Sequence, residues 1–349
     1  MTKLSICIPT YNRSSHLADC LNSIVLCNDQ SIHKFQICVS DNNSDDDTES
    51  VVRSAQSRLN IKYHKNEANI GMTRNFLKVV SMAEGSFVWM IGDDDLLLPN
   101  AISKLINLID KYPQVDFFYV NSFHLNTEYL KNFPSPFDTA NLPKNMRPFS
   151  DWPTSGELNF LELINPRISF DFLGGIFLSV FRRNNWLQHT SVLDDAAILD
   201  NRTFSHFDNT FPHIKIFAYA FSSSQAYYNS EPLNVCLTGA REWAPMYPFV
   251  HSVRLVESLR VYRQNGLPYW QYLRCKNFAL NNFVPDFINM FLKSERSGYR
   301  YIQPARLVLN ACYFPNFYLS LVYFMGRRIR SLFRLLLARK KIPVLDKLS

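Results

Sequence analysis

A chain of 349 residues, 47% hydrophobic and 19% charged, has the make-up of an ordinary globular protein and can hold one large domain or a domain with an appendage. Its net charge of +7 is concentrated: residues 327–349 carry eight Lys and Arg against one acid, Asp346, which argues against a nucleic-acid-binding body. Seven cysteines show no CxxC pair and no metal-ligand spacing, and an odd, scattered count points to a reducing compartment.

The N-terminal Met1-Thr2-Lys3 leads directly into a strand-like run with no signal-peptide apolar region, so a cytosolic chain is expected. That run, Leu4–Pro9, reads as a strand, and Leu17, Leu21, Ile24 and Val25 then recur at helical spacing behind possible caps at Asn12 or Ser14. Phe35–Ser40 is a second strand, closed by the turn-rich run 41–47. A helix is expected from Thr48 to about Arg58, and a third short strand over Ile61–His64. Phe76, Val79, Val80 and Ala83 give the next helix face, and Phe87–Ile91 a fourth strand. After Pro99, Ile102, Leu105, Ile106 and Ile109 form another apolar stripe ahead of a strand near Val115–Val120. This alternation of strand and helix predicts an α/β fold, a mostly parallel sheet sandwiched by helices.

Ligands of such sheets bind beyond the carboxyl ends of the strands. Pro9-Thr10-Tyr11-Asn12, Asp41-Asn42 and Gly92-Asp93-Asp94-Asp95 all follow strand ends, so they are expected on one edge although they span more than eighty residues. Three carboxylates released from a buried strand are poorly placed for packing. They suit a divalent cation, and a cation there can neutralise a diphosphate. From about Asn126 to Asn165 the pattern dissolves into Pro-, Asn- and Ser-rich sequence, too long for a simple linker and typical of a lid or binding loop. Apolar segments return at Phe172–Phe181 and near Ile214–Phe221, and beyond about 240 the chain reads as helical and aromatic.

Pro9-Thr10-Tyr11-Asn12-Arg13, Asp41-Asn42-Asn43-Ser44, Asn69-Ile70-Gly71 with Arg74-Asn75, and Asp93-Asp94-Asp95 follow in an order and spacing that resemble the family 2 glycosyltransferases, GT-A-fold enzymes that use nucleotide-diphosphate sugars. Within that family the chain looks most like bacterial O-antigen and capsule transferases of the abequosyltransferase type, sharing Phe172-Leu-Gly-Gly175 and Thr210-Phe-Pro-His213. The resemblance is specific over roughly residues 1–125, weaker over 165–240 and absent beyond. It implies a catalytic domain over residues 1–240, with a donor half (1–125) and an acceptor half (126–240), followed by a helical region over 241–349.

In the resembling family the position of Asp41 contacts uracil; as a bare residue it could equally close an Asx-turn. Thr10 and Tyr11 could flank the base or ribose, Tyr11 equally serving as packing, and Arg74's donor fork could pair with a phosphate or the base. Gly71 would allow close backbone approach or only supply an unusual dihedral, and Pro9, Asn12 and Asn69 are expected in the same donor site. The common metal motif is Asp-x-Asp-Asp, and here Gly92 stands in place of the first acid. Asp94 is therefore expected on the metal, with Asp95 or Asp93 contacting metal, its water, ribose or donor sugar. The cation would be Mg²⁺ or Mn²⁺. The resemblance also implies an inverting displacement, which needs a general base. The family's usual Glu-Asp pair is missing from Ser205–His213, leaving Asp208 and His213 as first candidates and Asp171, Asp194 or Asp195 behind them.

Downstream, Arg327, Arg330 and Arg334 share one helical face and Ile329, Leu332, Phe333 and Leu336 the opposite one, while the aromatic run Phe317–Met325 is too short for a membrane span. A basic amphipathic tail beside aromatics suits an anionic membrane surface. The alternative is a helix docked on protein. The expectation is thus a metal-dependent glycosyltransferase, peripheral on the inner face of a bacterial plasma membrane. It would move one sugar from a nucleotide-diphosphate donor to a polyprenyl-linked oligosaccharide in surface polysaccharide biosynthesis. Its rivals are a sugar-1-phosphate nucleotidyltransferase, which lacks its Gly-rich basic loop here, and a catalytically silent nucleotide- or glycan-binding scaffold.

Overall fold

A computed structural model describes residues 2–27, 34–239 and 243–339, with 331–339 as backbone only. The chain divides into two compact units, Met1–Ala244 with Glu257–Tyr272, and Pro245–Val256 with Leu273–Ser349.

The first unit is built on one ten-stranded sheet. Its first half follows the expected alternation: β1 (Leu4–Thr10), α1 (Ser14–Leu26), β2 (Phe35–Asp41), α2 (Thr48–Ala55), β3 (Ile61–Lys65), α3 (Met72–Met82), β4 (Phe87–Met90), β5 (Asp95–Leu97), α4 (Ala101–Lys111) and β6 (Phe117–Asn126). Strands β1, β2 and β4 are buried on both faces, as a sheet covered by helices on each side requires, which is why they read as continuous apolar runs. Leu17, Leu21 and Ile24 of α1 and Ile102, Leu105, Ile106 and Ile109 of α4 supply buried helix stripes against it.

Strand order is β3-β2-β1-β4-β9-β6-β10-β5, where β9 is Ser179–Arg182 and β10 is Gln225–Thr238. The run β3-β2-β1-β4 is parallel throughout. The second half is mixed. β9 pairs antiparallel with both β4 and β6, β10 runs parallel to β6, and β5 pairs antiparallel with β10. Short β7 (Arg147–Pro148) and β8 (Gly156–Asn159) hang on β6 and β10. Helices α5 (Arg183–Gln188), α6 (Asp195–Leu199), α7 (Phe207–Thr210) and α8 (Pro212–Phe221) connect β9 to β10.

The long strand β10 has no counterpart in the sequence reading. Glu231-Pro232 interrupts its alternation, and the pairing with β6 shifts register on both sides of Pro232, a bulge where a residue without a backbone N–H is tolerated. The irregular stretch 126–165 is also more firmly held than a free lid. It folds into short 3₁₀ turns, and Phe137 packs with Leu96, Leu125, Val235 and Leu237. The Phe137 backbone is pinned to α1, its N–H donating to Asp19 (2.6 Å) and its carbonyl accepting from Asn22 (2.9 Å).

In the second unit, helices Phe283–Leu292, Pro304–Ala311 and Pro315–Arg339 carry most of the chain. Buried Asp286 accepts hydrogen bonds from Ser252 Oγ (2.6 Å) and Asn282 Nδ2 (2.7 Å) and lies 3.1 Å from His251 Nδ1. The predicted aromatic run and basic tail are one continuous helix, Pro315–Arg339. Side chains at 331–339, including the expected stripe residues Leu332, Phe333 and Leu336, and all of 340–349 lie outside the described residues.

Candidate active site

Because β3, β2, β1 and β4 are parallel neighbours, the loops after them leave from one edge of the sheet. Thr10 and Asp41 are direct register partners at the ends of β1 and β2, and Asn42 N donates to Thr10 O at 2.9 Å. Thr10 Oγ1 in turn donates to Asp93 Oδ2 at 2.8 Å, across 83 residues of sequence. Thr10, Asp41 and the aspartate cluster therefore do meet.

The centre of the cluster is Arg13. Its Nη2 donates to Asp94 Oδ2 at 2.9 Å, and its Nη1 lies 3.2 Å from Asp93 Oδ1. Burial pushes the Asp93 carboxyl up to about 7, with Arg13 pulling it down and the neighbouring Asp94 charge pushing it up. Asp95 turns back on the chain, its Oδ2 accepting from Gly92 N at 2.7 Å. A Cβ on Gly92 would sit 2.6 Å from Asp94 Oδ1 and 3.2 Å from Asp95 Oδ2. The missing first acid therefore corresponds to space that the Asp94 carboxylate occupies.

Arg13 carries no assignment in the sequence reading, yet a signal was present. It stands at the N-cap of α1, where the helix dipole disfavours a cation, so a nearby anion is needed to explain it. His16, on the first turns of α1, belongs to the same neighbourhood: burial and Arg13 lower its pKa, while Asp94 and Asp19 raise it.

The edge after β2 and β3 is organised by short polar side chains. Asp41 is fully buried, Oδ1 accepting from Ser44 N (2.8 Å) and Oδ2 from Tyr63 Oη (2.7 Å). Both Asp41 oxygens thus hold the turn after β2. Asn12, at φ +51°, accepts from Asp45 N through Oδ1, and its own N–H donates to Ser44 Oγ. Asn42, Asn66, Asn69 and Asn75 form a ladder: Asn42 Nδ2 to Asn69 Oδ1 (2.8 Å), Asn66 Nδ2 to Asn75 Oδ1 (3.0 Å), and Ile70 N to Asn42 Oδ1 (2.9 Å). It fixes the loop ahead of Gly71, whose φ of +84° suits glycine. Tyr11 and Arg74 lie exposed at this edge, Tyr11 beyond β1 and Arg74 in the first turn of α3. Pro9 is within β1.

The Phe172–Gly175 motif is a strained turn. Phe172 and Leu173, both fully buried, have φ of +52° and +66°, a conformation that bulky residues adopt only when their surroundings impose it. The surroundings are specific. Tyr262 Oη donates to Phe172 O (3.1 Å), and His213 Nε2 lies 3.2 and 3.1 Å from Leu173 O and Gly174 O. Asp171 accepts from Ser169 Oγ (2.8 Å) and Gly175 N (2.7 Å). Burial lowers the His213 pKa to about 4, and its Nδ1 is buried without a hydrogen-bond partner. His213 is thus a neutral ring with its N–H directed at the turn carbonyls.

Asp208 sits elsewhere on the same segment. Its Oδ2 accepts from Asp194 N (2.7 Å) and Lys215 Nζ (2.6 Å), while Oδ1 makes no hydrogen bond among the described residues. The segment approaches the loop ahead of α3 through Asn201, whose Oδ1 lies 3.2 Å from where a Cβ on Gly71 would be.

The donor set around Asp94 is all oxygen, which suits Mg²⁺ or Mn²⁺. Burial first, and then the neighbouring Asp94 charge, push Asp93 up, and a further positive charge beside the pair would oppose that shift. No group of three His, Cys, Asp or Glu side chains converges among the described residues, so a cation here would draw most of its ligands from diphosphate and water. On those terms the residues fit one.

Known proteins are similar to this chain in sequence and in fold. The sequence model of Glycosyl transferase family 2 matches residues 5–156. Abequosyltransferase RfbV of Salmonella typhimurium is 40% identical over 118 residues, 32% of this chain and 34% of that protein. The GalNAc(5)-diNAcBac-PP-undecaprenol beta-1,3-glucosyltransferase of Campylobacter jejuni is 40% identical over 108 residues, 30% of this chain and 34% of its own length. The match thus spans about a third of the length of these relatives. Among solved structures, S. aureus TarS 1-349 in complex with UDP-GlcNAc superposes with a TM-score of 0.53 at 14% identity, covering 93% of this chain and 92% of that one. Mannosyltransferase PcManGT from Pyrobaculum calidifontis, with GDP-Man and Mn²⁺, gives a TM-score of 0.50 at 14% identity over 95% of this chain and 87% of its own. Residues 5–156, which build this sheet edge, match glycosyl transferase family 2.

Proposed function

We propose that the protein transfers one sugar from a nucleotide-diphosphate donor to a lipid-linked glycan in surface polysaccharide biosynthesis. The observation that carries this reading is the Thr10–Asp93–Arg13–Asp94 constellation at the carboxyl edge of a parallel β3-β2-β1-β4 sheet, inside the stretch that matches the family. The donor class follows the TarS and PcManGT complexes, and the acceptor class follows the undecaprenol-linked substrate in the name of the Campylobacter relative. An undecaprenol-type acceptor would place the reaction at the inner face of the plasma membrane.

In this reading Tyr11 and the turn held by Asp41 line the base and ribose, and exposed Arg74 reaches the diphosphate as a planar donor fork. Asp94, with Asp93 behind it, would hold a divalent cation, which when bound stabilises charge on the departing diphosphate. Arg13 supplies a fixed positive charge to the same two carboxylates and keeps them in place. Transfer is inverting, and Asp208 takes the acceptor hydroxyl proton through its open Oδ1, while Lys215 and Asp194 N orient the carboxylate. His213 and Asp171 hold the strained 172–174 turn that shapes the acceptor side.

The test is a donor panel incubated with Mn²⁺ and read by nucleoside diphosphate release. Turnover that is metal-dependent, abolished in Asp94→Ala and reduced at least a hundredfold in Asp208→Asn, on the scale of a lost general base, is expected. Donor binding without turnover on any donor and acceptor would instead favour a silent binding scaffold.

A further inference from the structure

Helix Pro315–Arg339 presents its apolar residues the wrong way round for a helix of a water-exposed domain. Its packed side is short: Phe317 meets the Phe283 ring at 5.6 Å, and Ser320 Oγ accepts from Val284 N at 3.2 Å. On the other side Tyr318, Val322, Met325 and Ile329 follow at i, i+4, i+7 and i+11, one continuous stripe, and each is at least half exposed. Leu309 (62%) and Tyr313 (82%) add exposed apolar surface on the preceding helix and its connection. From Pro304 to Arg339 there are six arginines and no Asp or Glu.

We propose that this face docks the protein on an anionic bilayer. The stripe would enter the boundary between headgroups and acyl chains, with Arg327, Arg328 and Arg330 at its end among the lipid phosphates. Pro304–Ala311 and Pro315–Arg330 meet at a 107° bend, and no single described helix is long and apolar enough to cross a membrane. A helix lying in the interface accounts for both facts. Charge also selects the occupant. A twofold contact with a second copy would bring the same patch against itself, arginines facing arginines with no carboxylate on these helices to answer them. Lipid phosphates supply that counter-charge. Exposed Tyr313 and Tyr318 fit the headgroup level, where amphipathic rings concentrate.

The proposal rests on the membrane-linked acceptor reading but is tested separately from it. Flotation of the full chain with phosphatidylglycerol-containing vesicles, against pure phosphatidylcholine vesicles, measures the docking. Donor hydrolysis in the absence of lipid measures the transferase. Val322→Asp with Met325→Asp, both exposed and leaving the basic tail intact, is expected to weaken anionic-vesicle binding about tenfold or more, with the thermal melt and donor hydrolysis unchanged. Arg327→Glu with Arg328→Glu is expected to remove the preference for anionic lipid, about fivefold for each arginine. Wild-type-like flotation of the Val322/Met325 variant overturns the proposal. So does a wild-type dimer that this variant dissolves while neither protein floats.

Discussion

Arg13 shows how a single residue decides what an acidic cluster can do. Without it, Asp93 and Asp94 are two buried like charges; with it, they are a paired and oriented set. A double-mutant cycle of Arg13→Gln and Asp94→Asn should give a coupling energy of about 1 to 3 kcal/mol in urea unfolding, and near-zero coupling would show the contact to be incidental. The three aspartates were legible in the sequence as a strand-end cluster. Their division of labour was not, because it depends on Arg13 lying within 3.2 Å of two of them and on Gly92 N claiming the third. His213 makes a second residue-scale case. Its folded pKa of about 4 lies below the ordinary 6.5, so between those values the unfolded chain binds a proton that the native ring refuses. Stability should be complete above pH 6.5 and fall by roughly 3 kcal/mol as pH drops toward 4, and His213→Gln should flatten that part of the curve in denaturant titrations.

At the scale of elements, the loop between β3 and α3 is held by the asparagine ladder rather than by apolar packing. Asn75 is buried at its base, accepting from Ser40 Oγ and Asn66 Nδ2 and donating to Ser40 O. Asn75→Ala strands several buried polar groups. It should cost about 2 kcal/mol, read by thermal melt, and should speed amide exchange over residues 66–71. Unchanged exchange there would assign the loop's order to something else. The strands β1, β2 and β4 were readable because a sheet covered on both faces writes itself as apolar runs closed by Pro, Asn and Gly. β10 was not, because Glu231-Pro232 breaks the alternation at a bulge that only the pairing with β6 defines. Nor was the 126–165 stretch, since 3₁₀ turns leave no long period in the sequence and Phe137 finds its place only against α1 and the β5–β10 ribbon.

Over the whole molecule, residues far apart in the chain keep the Phe172–Gly174 turn in its strained state. Tyr262, fully buried, reaches Phe172 O across ninety residues. Tyr262→Ala should lose roughly 3 to 5 kcal/mol of stability in equilibrium unfolding, whereas Tyr262→Phe should lose about 1 kcal/mol and report the hydrogen bond alone. Equal losses for the two would mean that ring packing contributes nothing, contrary to its burial. The sequence by itself determined the parallel first half of the sheet, the strand-end gathering of Thr10, Asp41 and Asp93 to Asp95, and the basic tail, because each is a local pattern repeated along the chain. Tertiary structure alone decided that Asp41 spends both oxygens on its own turn and Tyr63, that Asp208 leaves one oxygen without a hydrogen bond among the described residues, and that Tyr318, Val322, Met325 and Ile329 face outward. Those outcomes depend on which partner fills the space beside a side chain, and no spacing along a single chain records that.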